Sequence, residues 1–356
     1  MTLAAMLIGL PLVGVALDGK PLAPYLAFPP ATERVPHVPF SWWAFCALSA
    51  LIVAVLLPVL LRVWRSPAPS SSAEAGVAAF PCWGWLGLVL LVLSWWLAWN
   101  RFGWLGALQA YTFTPLWLGY IVVINAHTYR RRGGCMLCER PRYFLALFLV
   151  SAAFWWFFEY LNRFVHSWYY IGVGQPSPWE YFWQATLPFS TVLPAVLGTR
   201  EWLATFPRLG SGLADVWHVR LPAPRLTGYL ALVLAGAGLA GIGVWPDEMF
   251  ALLWVAPLVI ITALQAVLGE RTIFAPLGHG DWRTLWQAAL AALLCGFLWE
   301  LWNSKSLAHW EYAIPWVHRY EIFYMPVLGY AGYLPFGLEC LAVASLLDRV
   351  WAYASR

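Results

Sequence analysis

The stretch Tyr143-Phe-Leu-Ala-Leu-Phe-Leu-Val-Ser-Ala-Ala-Phe-Trp-Trp-Phe-Phe-Glu-Tyr-Leu-Asn162 carries a single charged side chain, Glu159, near its end. At ~1.5 Å per residue, such a run is long enough as a helix to cross the ~30 Å hydrocarbon of a bilayer. The rest of the chain has the same character. Of 356 residues, 62% are hydrophobic and 11% are charged, where a soluble domain carries about 25% charged residues. A charge at the bilayer centre costs on the order of 2.5–3.5 kcal/mol, and that cost accounts for the depletion. Composition and apolar runs together predict an all-α polytopic membrane protein of about nine or ten spans.

Working outward, further apolar runs predict spans at Trp43–Leu61, Trp83–Ala98, Thr112–Tyr129, Tyr181–Phe206, Leu226–Val244, Met249–Leu268, Thr284–Asn303 and Ile322–Leu347. Leu3–Leu17 is shorter. It is either a short first span or a signal-like segment; no basic segment precedes it and no small-residue cleavage site follows, which favours a retained anchor. Pro21–Trp43 is too rich in proline for a helix to run through it and predicts an ordered extramembrane or re-entrant loop. Residues 1–42 are then an anchor-like segment and loop. Residues 43–79 hold one extra span and a Ser/Ala-rich linker, Pro67–Ala79.

Sidedness follows from the basic residues. Lys20, Arg34, Arg101, Arg163, Lys305 and Arg319 fall on one side, and all others of the 21 Lys and Arg fall on the opposite side. The positive-inside rule makes the arginine-rich loops cytoplasmic, in a multi-pass protein of the cell (inner) membrane. The proline-rich loop and the loops after Asn162 and Asn303 then face outward.

The quoted stretch has an echo. Phe154-Trp-Trp-Phe-Phe-Glu159-Tyr-Leu-Asn162 resembles Gly296-Phe-Leu-Trp-Glu300-Leu-Trp-Asn303. Each Glu-x-x-Asn is followed by Trp-x-Tyr, at Trp168–Tyr170 and Trp310–Tyr312, then by Glu-x-Phe opening the next helix, at Glu180 and Glu321. Glu159 lies 17 residues after Arg142, as Glu300 lies 17 after Arg283. Gly84-Trp-Leu-Gly-Leu-Val-Leu pairs with Gly228-Tyr-Leu-Ala-Leu-Val-Leu. These matches predict two tandem four-helix units, residues 80–208 and 226–349, joined by the Arg208–Arg225 loop. An even helix number gives both units one orientation, related by a pseudo-two-fold axis along the membrane normal.

Seventeen helical residues span ~25 Å, which puts Glu159 and Glu300 near the outer hydrocarbon boundary. Asn162 and Asn303 lie at i+3, on the same helical face. Intramembrane carboxylates are functional candidates, and structural pins of the neighbouring loop are the alternative. Glu300, Glu339 and Glu159 are the candidate acids. Asn303, Asn162, Trp299, Trp302, Trp310, His309, Glu311, Tyr312, Glu321 and Glu180 are the candidate substrate contacts. The second unit has more titratable groups, with Lys305, His309, Glu311, His318, Arg319 and Glu321 after Asn303. His309 and Glu311 could shuttle protons or orient a metal, but no paired-ligand spacing accompanies them, so no metal site is assigned.

Glu339 follows Gly329-Tyr-Ala-Gly-Tyr-Leu-Pro-Phe-Gly, a run expected to loosen its helix near the midplane. Its rough counterpart is Arg200–Glu201, readable as a self-contained ion pair. Cys135-Met-Leu-Cys138 could be half a zinc site or a redox pair. The 26 tryptophans suit the headgroup level, and also walls that hold cations or flat apolar ligands.

With net charge +4 and no basic run in a soluble domain, nucleic acid is not an expected partner. No phosphate-binding Gly-rich loop, serine nucleophile elbow or haem-attachment motif is present. Paired helices carrying carboxylates amid aromatics are similar in general look to membrane-embedded isoprenoid cyclases, a likeness of kind without a shared motif. The reading that follows is a protein that binds or modifies a membrane lipid or isoprenoid by acid–base chemistry at an outward-facing site. A proton-coupled carrier and an assembly subunit of a larger membrane complex are the alternatives. The cofactor, if any, is not legible.

Overall fold

The computed structural model describes residues 2–30, 33–67 and 78–354. The linker read at Pro67–Ala79 lies mostly outside the described residues. The chain is a bundle of α-helices with two small two-stranded pairings at one end. The main helices are α1 (Thr2–Leu17), α2 (Trp42–Arg65), α3 (Cys82–Trp99), α4 (Phe113–Arg132), α5 (Pro141–Val165), α6 (Pro178–Phe189), α7 (Val192–Ala204), α8 (Pro224–Val244), α9 (Ala256–Val267), α10 (Arg283–Asn303) and α11 (Tyr333–Ala354). Six helical segments are long and apolar enough to cross a membrane: α2, α3, α5, α8, α10 and Val327–Ala352, which includes α11. This is the architecture of a multi-pass membrane protein.

Local chemistry sets the helix boundaries. The Ser41 hydroxyl caps α2 by accepting from the Ala44 N–H, which satisfies an orphan donor of the first turn. α4 ends on Gly133 with a left-handed φ of 79°, a conformation glycine adopts without a Cβ clash. Ser177 and Glu180 form a reciprocal capping box at the start of α6.

Four expected spans differ from the sequence reading, two of them through proline; the first, Thr112–Tyr129, forms the 20-residue helix α4 but is not among the six segments apolar enough to cross. Tyr181–Phe206 is not one helix but two, α6 and α7, with the break at Ser190–Thr191 after Pro188. A proline inside a helix removes a hydrogen bond and crowds the carbonyl four residues earlier. Met249–Leu268 is bent by 53° between Pro246–Trp254 and α9, at Val255, just before Ala256 and Pro257. If that bent pair is one span, the count of candidate spans is seven. The last span does not start at Ile322, which pairs instead in a short hairpin of Glu321–Ile322 with Met325–Pro326. Glu321 therefore opens no helix. α11 starts at Tyr333 and runs unbroken past Gly337 and Glu339, so the loosened stretch is the 3-10 turn Val327–Gly332 before it.

α1 is an integral part of the bundle. It packs along α8 so closely that a Cβ on Gly14 would lie 1.8 Å from the Ala240 carbonyl oxygen. α2 is the opposite case and buries none of its side chains. The arginines read as sharing one side are tied together at one end. Arg62 donates to the Gly212 and Asp215 carbonyls, Arg208 to those of Ser66 and Trp64, Arg140 pairs with Asp348, and Arg349 with Glu270. At the other end the proline-rich loop is pinned by His37 on Asp247 (2.5 Å) and by Arg163 on the Tyr25 and Ala27 carbonyls.

Candidate functional site

α5 and α10 each reach the end opposite the arginines with a Glu and, one turn later, an Asn. Both Asn side chains are fully committed to backbone. Asn162 Oδ1 accepts from the Ser167 and Trp168 N–H groups, and Nδ2 donates to the Trp168 carbonyl at 2.8 Å. Asn303 Oδ1 accepts from the Trp310 N–H at 2.8 Å, and Nδ2 donates to the Trp310 carbonyl at 2.7 Å. Each amide fixes the entry of a short strand, β1 (Trp168–Ile171) and β2 (His309–Tyr312). These two strands pair with each other, antiparallel, with Trp168 opposite Tyr312 and Tyr170 opposite Trp310.

Strand side chains alternate between faces. Trp168, Tyr170, Trp310 and Tyr312 therefore share one face, and it is the one turned toward the two carboxylates. Glu159 Oε1 accepts from Trp155 Nε1 (3.2 Å), Trp168 Nε1 (3.0 Å) and the Tyr170 hydroxyl (2.5 Å). Glu300 Oε1 accepts from the Tyr312 (2.6 Å) and Tyr333 (2.8 Å) hydroxyls, and Trp310 Nε1 donates to the Tyr312 oxygen (2.8 Å). Both carboxyls are buried, Glu159 at 2% and Glu300 at 0% exposure. Glu300 Oε2 is buried with no hydrogen-bond partner among the described residues. Burial first, and the neighbouring carboxylate next, hold the Tyr170 and Tyr312 phenols well above their ordinary value. Each keeps its proton and donates it inward.

On the other face of the ladder, Tyr169 donates to Glu311 Oε2 at 2.6 Å. His309 Nε2 lies 3.6 Å from Glu311 Oε1, and its ring stacks on Tyr324.

A cavity of about 870 Å³ opens beside this network. Its aromatic wall includes Trp155, Trp168, Tyr170, Trp254, Trp299, Trp310, Tyr312 and Tyr333, and Leu48, Leu51 and Ile52 of α2 close another side. Glu159 and Glu300 do not line this cavity, whereas Tyr170, Tyr312 and Tyr333, whose hydroxyls donate to them, do. Trp299, Trp310, Tyr312 and His309 lie on the wall as the sequence suggests. The remaining candidates lie elsewhere. Trp302 packs in the core, 4.9 Å from Trp117. Glu180 caps α6, and Glu321 pairs with His318 at 2.9 Å. Glu339 is fully buried in α11, away from the wall, and neither of its oxygens has a partner among the described residues.

Two further readings change. Arg200 and Glu201 do not pair with each other, because Glu201 accepts from Arg132 at 3.0 Å and from the Met136 N–H at 2.9 Å. Cys135 is buried at the start of a tight turn, and burial pushes its thiol up to about 12. A thiol in that range is a poor nucleophile.

Tyr333, Trp155 and Trp254 belong to the wall or its hydrogen bonds and were not expected there. For Tyr333 a signal was present. Gly296 sits one turn before Glu300, and a Cβ there would lie 2.3 Å from the Tyr333 ring. The missing side chain makes room for the phenol to reach the carboxylate.

No protein-family model, no curated protein and no solved structure matches this chain.

Proposed function

We propose that this protein binds an apolar, chain-bearing membrane ligand, a lipid or an isoprenoid, in the aromatic cavity. Acid–base or cation-stabilising chemistry is supplied there by Glu300 with Tyr312 and Tyr333. The observation that carries the reading is the layered wall, in which phenols and indoles line the cavity while the Tyr170, Tyr312 and Tyr333 hydroxyls donate to buried carboxyls that do not line it. Such a surface attracts a hydroxyl donor or a developing positive charge on an otherwise apolar molecule. The volume falls in the range of pockets that enclose small ligands, about 300–1,000 Å³. The reading includes a bundle of nine or so spans with an outward-facing site and the arginine-rich end in the cytoplasm of the inner membrane. Tandem units 80–208 and 226–349 are supported by the β1–β2 pairing, where each Trp of one Trp-x-Tyr meets the Tyr of the other, as a two-fold exchange requires.

A carrier is favoured by one arrangement. α11 contributes Tyr333 to the aromatic cavity and Ser345 and Asp348 to a second cavity at the arginine-rich end, with the unpartnered Glu339 between them. Mass spectrometry of the purified protein with its extracted lipids tests both. A specific lipid or isoprenoid retained by the wild type and lost or altered in Glu300→Gln is the expected outcome. Bulk phospholipid alone in both samples would sink the lipid-enzyme reading. Retention that depends instead on Glu339 and a proton gradient would favour the carrier.

A further inference from the structure

The second cavity, at the arginine-rich end, has a volume of about 460 Å³ and is lined by Arg140, Arg200, Arg271, Glu139, Glu201 and Asp348, among others. Its charges are unevenly matched. Glu139 and Glu201 are both engaged by Arg132, and Asp348 by Arg140 at 2.9 Å. That leaves the guanidiniums of Arg200 and Arg271 with no hydrogen bond and no ion pair among the described residues. Arg200 Nε is buried and unsatisfied. Glu201 and Asp348 act on Arg200 through space only. A buried donor left unmade costs about 1–3 kcal/mol, more for a charged group, so an orphan guanidinium on a cavity wall calls for an acceptor that enters from outside.

We infer that this cavity binds a phosphate group between Arg200 and Arg271. The planar guanidinium fork matches phosphate oxygens two at a time. The hydroxyls of Thr272 and Thr284, also on the wall, add donors for the remaining oxygens. Arg132 with the wall's Arg140, Arg200 and Arg271 makes four arginines against three carboxylates, Glu139, Glu201 and Asp348, so the net charge around the cavity favours an anion. The phosphate belongs either to a phospholipid headgroup or to a soluble phosphate ester, since the chemistry recognised is the same.

The test uses the full-length protein purified in detergent. Thermal unfolding is followed with inorganic phosphate against chloride at equal ionic strength, and separately with phosphatidylglycerol against diacylglycerol in the micelles. A rise in Tm with inorganic phosphate assigns the site to a soluble phosphate. A rise with phosphatidylglycerol alone assigns it to a lipid headgroup. In either case Arg200→Gln and Arg271→Gln should raise the half-saturating concentration about tenfold or more, while the exposed control Arg65→Gln responds as wild type. Should Arg200→Gln fail to fold, Arg271→Gln carries the test, because Arg271 is exposed. No stabilisation by either probe, or the same response in wild type and both variants, overturns the inference.

Discussion

Glu159 and Glu300 occupy the same place in matching motifs, yet they are held differently. Glu159 has two indoles and one phenol converging on a single oxygen. Glu300 has two phenols and no indole on one oxygen; the second oxygen of each carboxyl accepts no hydrogen bond among the described residues, and that of Glu300 is buried. The difference arises one residue at a time. Trp168 reaches its carboxylate directly, whereas Trp310 reaches only the Tyr312 hydroxyl. Tyr333 then supplies from a distant helix the contact that Trp155 makes from within α5. A carboxylate tied by three donors from its own helix and the strand that follows it is suited to hold a fold. One held by two phenols that line a cavity, one of them from another helix, is suited to exchange a proton.

The largest effect expected from this contrast is functional. Glu300→Gln should abolish specific ligand retention, or any activity assigned to the cavity, in a protein that stays folded. Glu159→Gln should keep a measurable part of it. Equal and complete loss in two folded variants would break the contrast. Stability should show the reverse order. Glu159→Leu leaves three buried donors unmatched and should cost about 3 kcal/mol or more, against about 2 kcal/mol for Glu300→Leu. Denaturation in a fixed detergent checks this, and a larger loss at Glu300 would mean that the second site is the structural one.

A smaller and sharper effect concerns the reach of Tyr333. Tyr333→Phe removes one net hydrogen bond, about 1 kcal/mol, and should weaken ligand retention without unfolding. Gly296→Ala should reproduce that functional loss by pushing the ring aside, with an overpacking cost of about 1–3 kcal/mol. If Gly296→Ala retained the ligand fully, the hydroxyl contact to Glu300 would not matter. The smallest effect lies next to the first site. Burial, and then His37, hold the His166 imidazole below its ordinary value of 6.5. The unfolded chain therefore binds the proton more readily. Stability is full above pH 6.5 and falls as the pH drops toward the folded value. His166→Gln should flatten that part of the stability profile, and an unchanged profile would assign the acid sensitivity to another group.

Much of this was legible in the chain, and the reason is locality. A helix declares itself through the apolar content of its own ~20 residues, so the spans at α2, α3, α5, α8 and α10 were readable. Ser177-x-x-Glu180 likewise carries its capping box in four consecutive positions, which makes Glu180 a helix cap and not a substrate contact. The Glu-x-x-Asn spacing located both buried carboxyls. The breaks after Pro188 and at Val255 were harder to read, because apolar content continues through them while the backbone geometry does not.

By itself, the sequence determined that this protein is a membrane-type helical bundle and that two carboxyls lie near one end of it. Only the tertiary structure decided which groups meet those carboxyls. The pairing of residues 168–171 with 309–312 joins segments separated by more than a hundred positions, and Tyr333 arrives from another helix through a gap left by Gly296. Composition and periodicity act along the chain, whereas hydrogen-bond partners and cavity walls are set by packing across it. For that reason the phenols, and not the carboxyls, turned out to face the cavity.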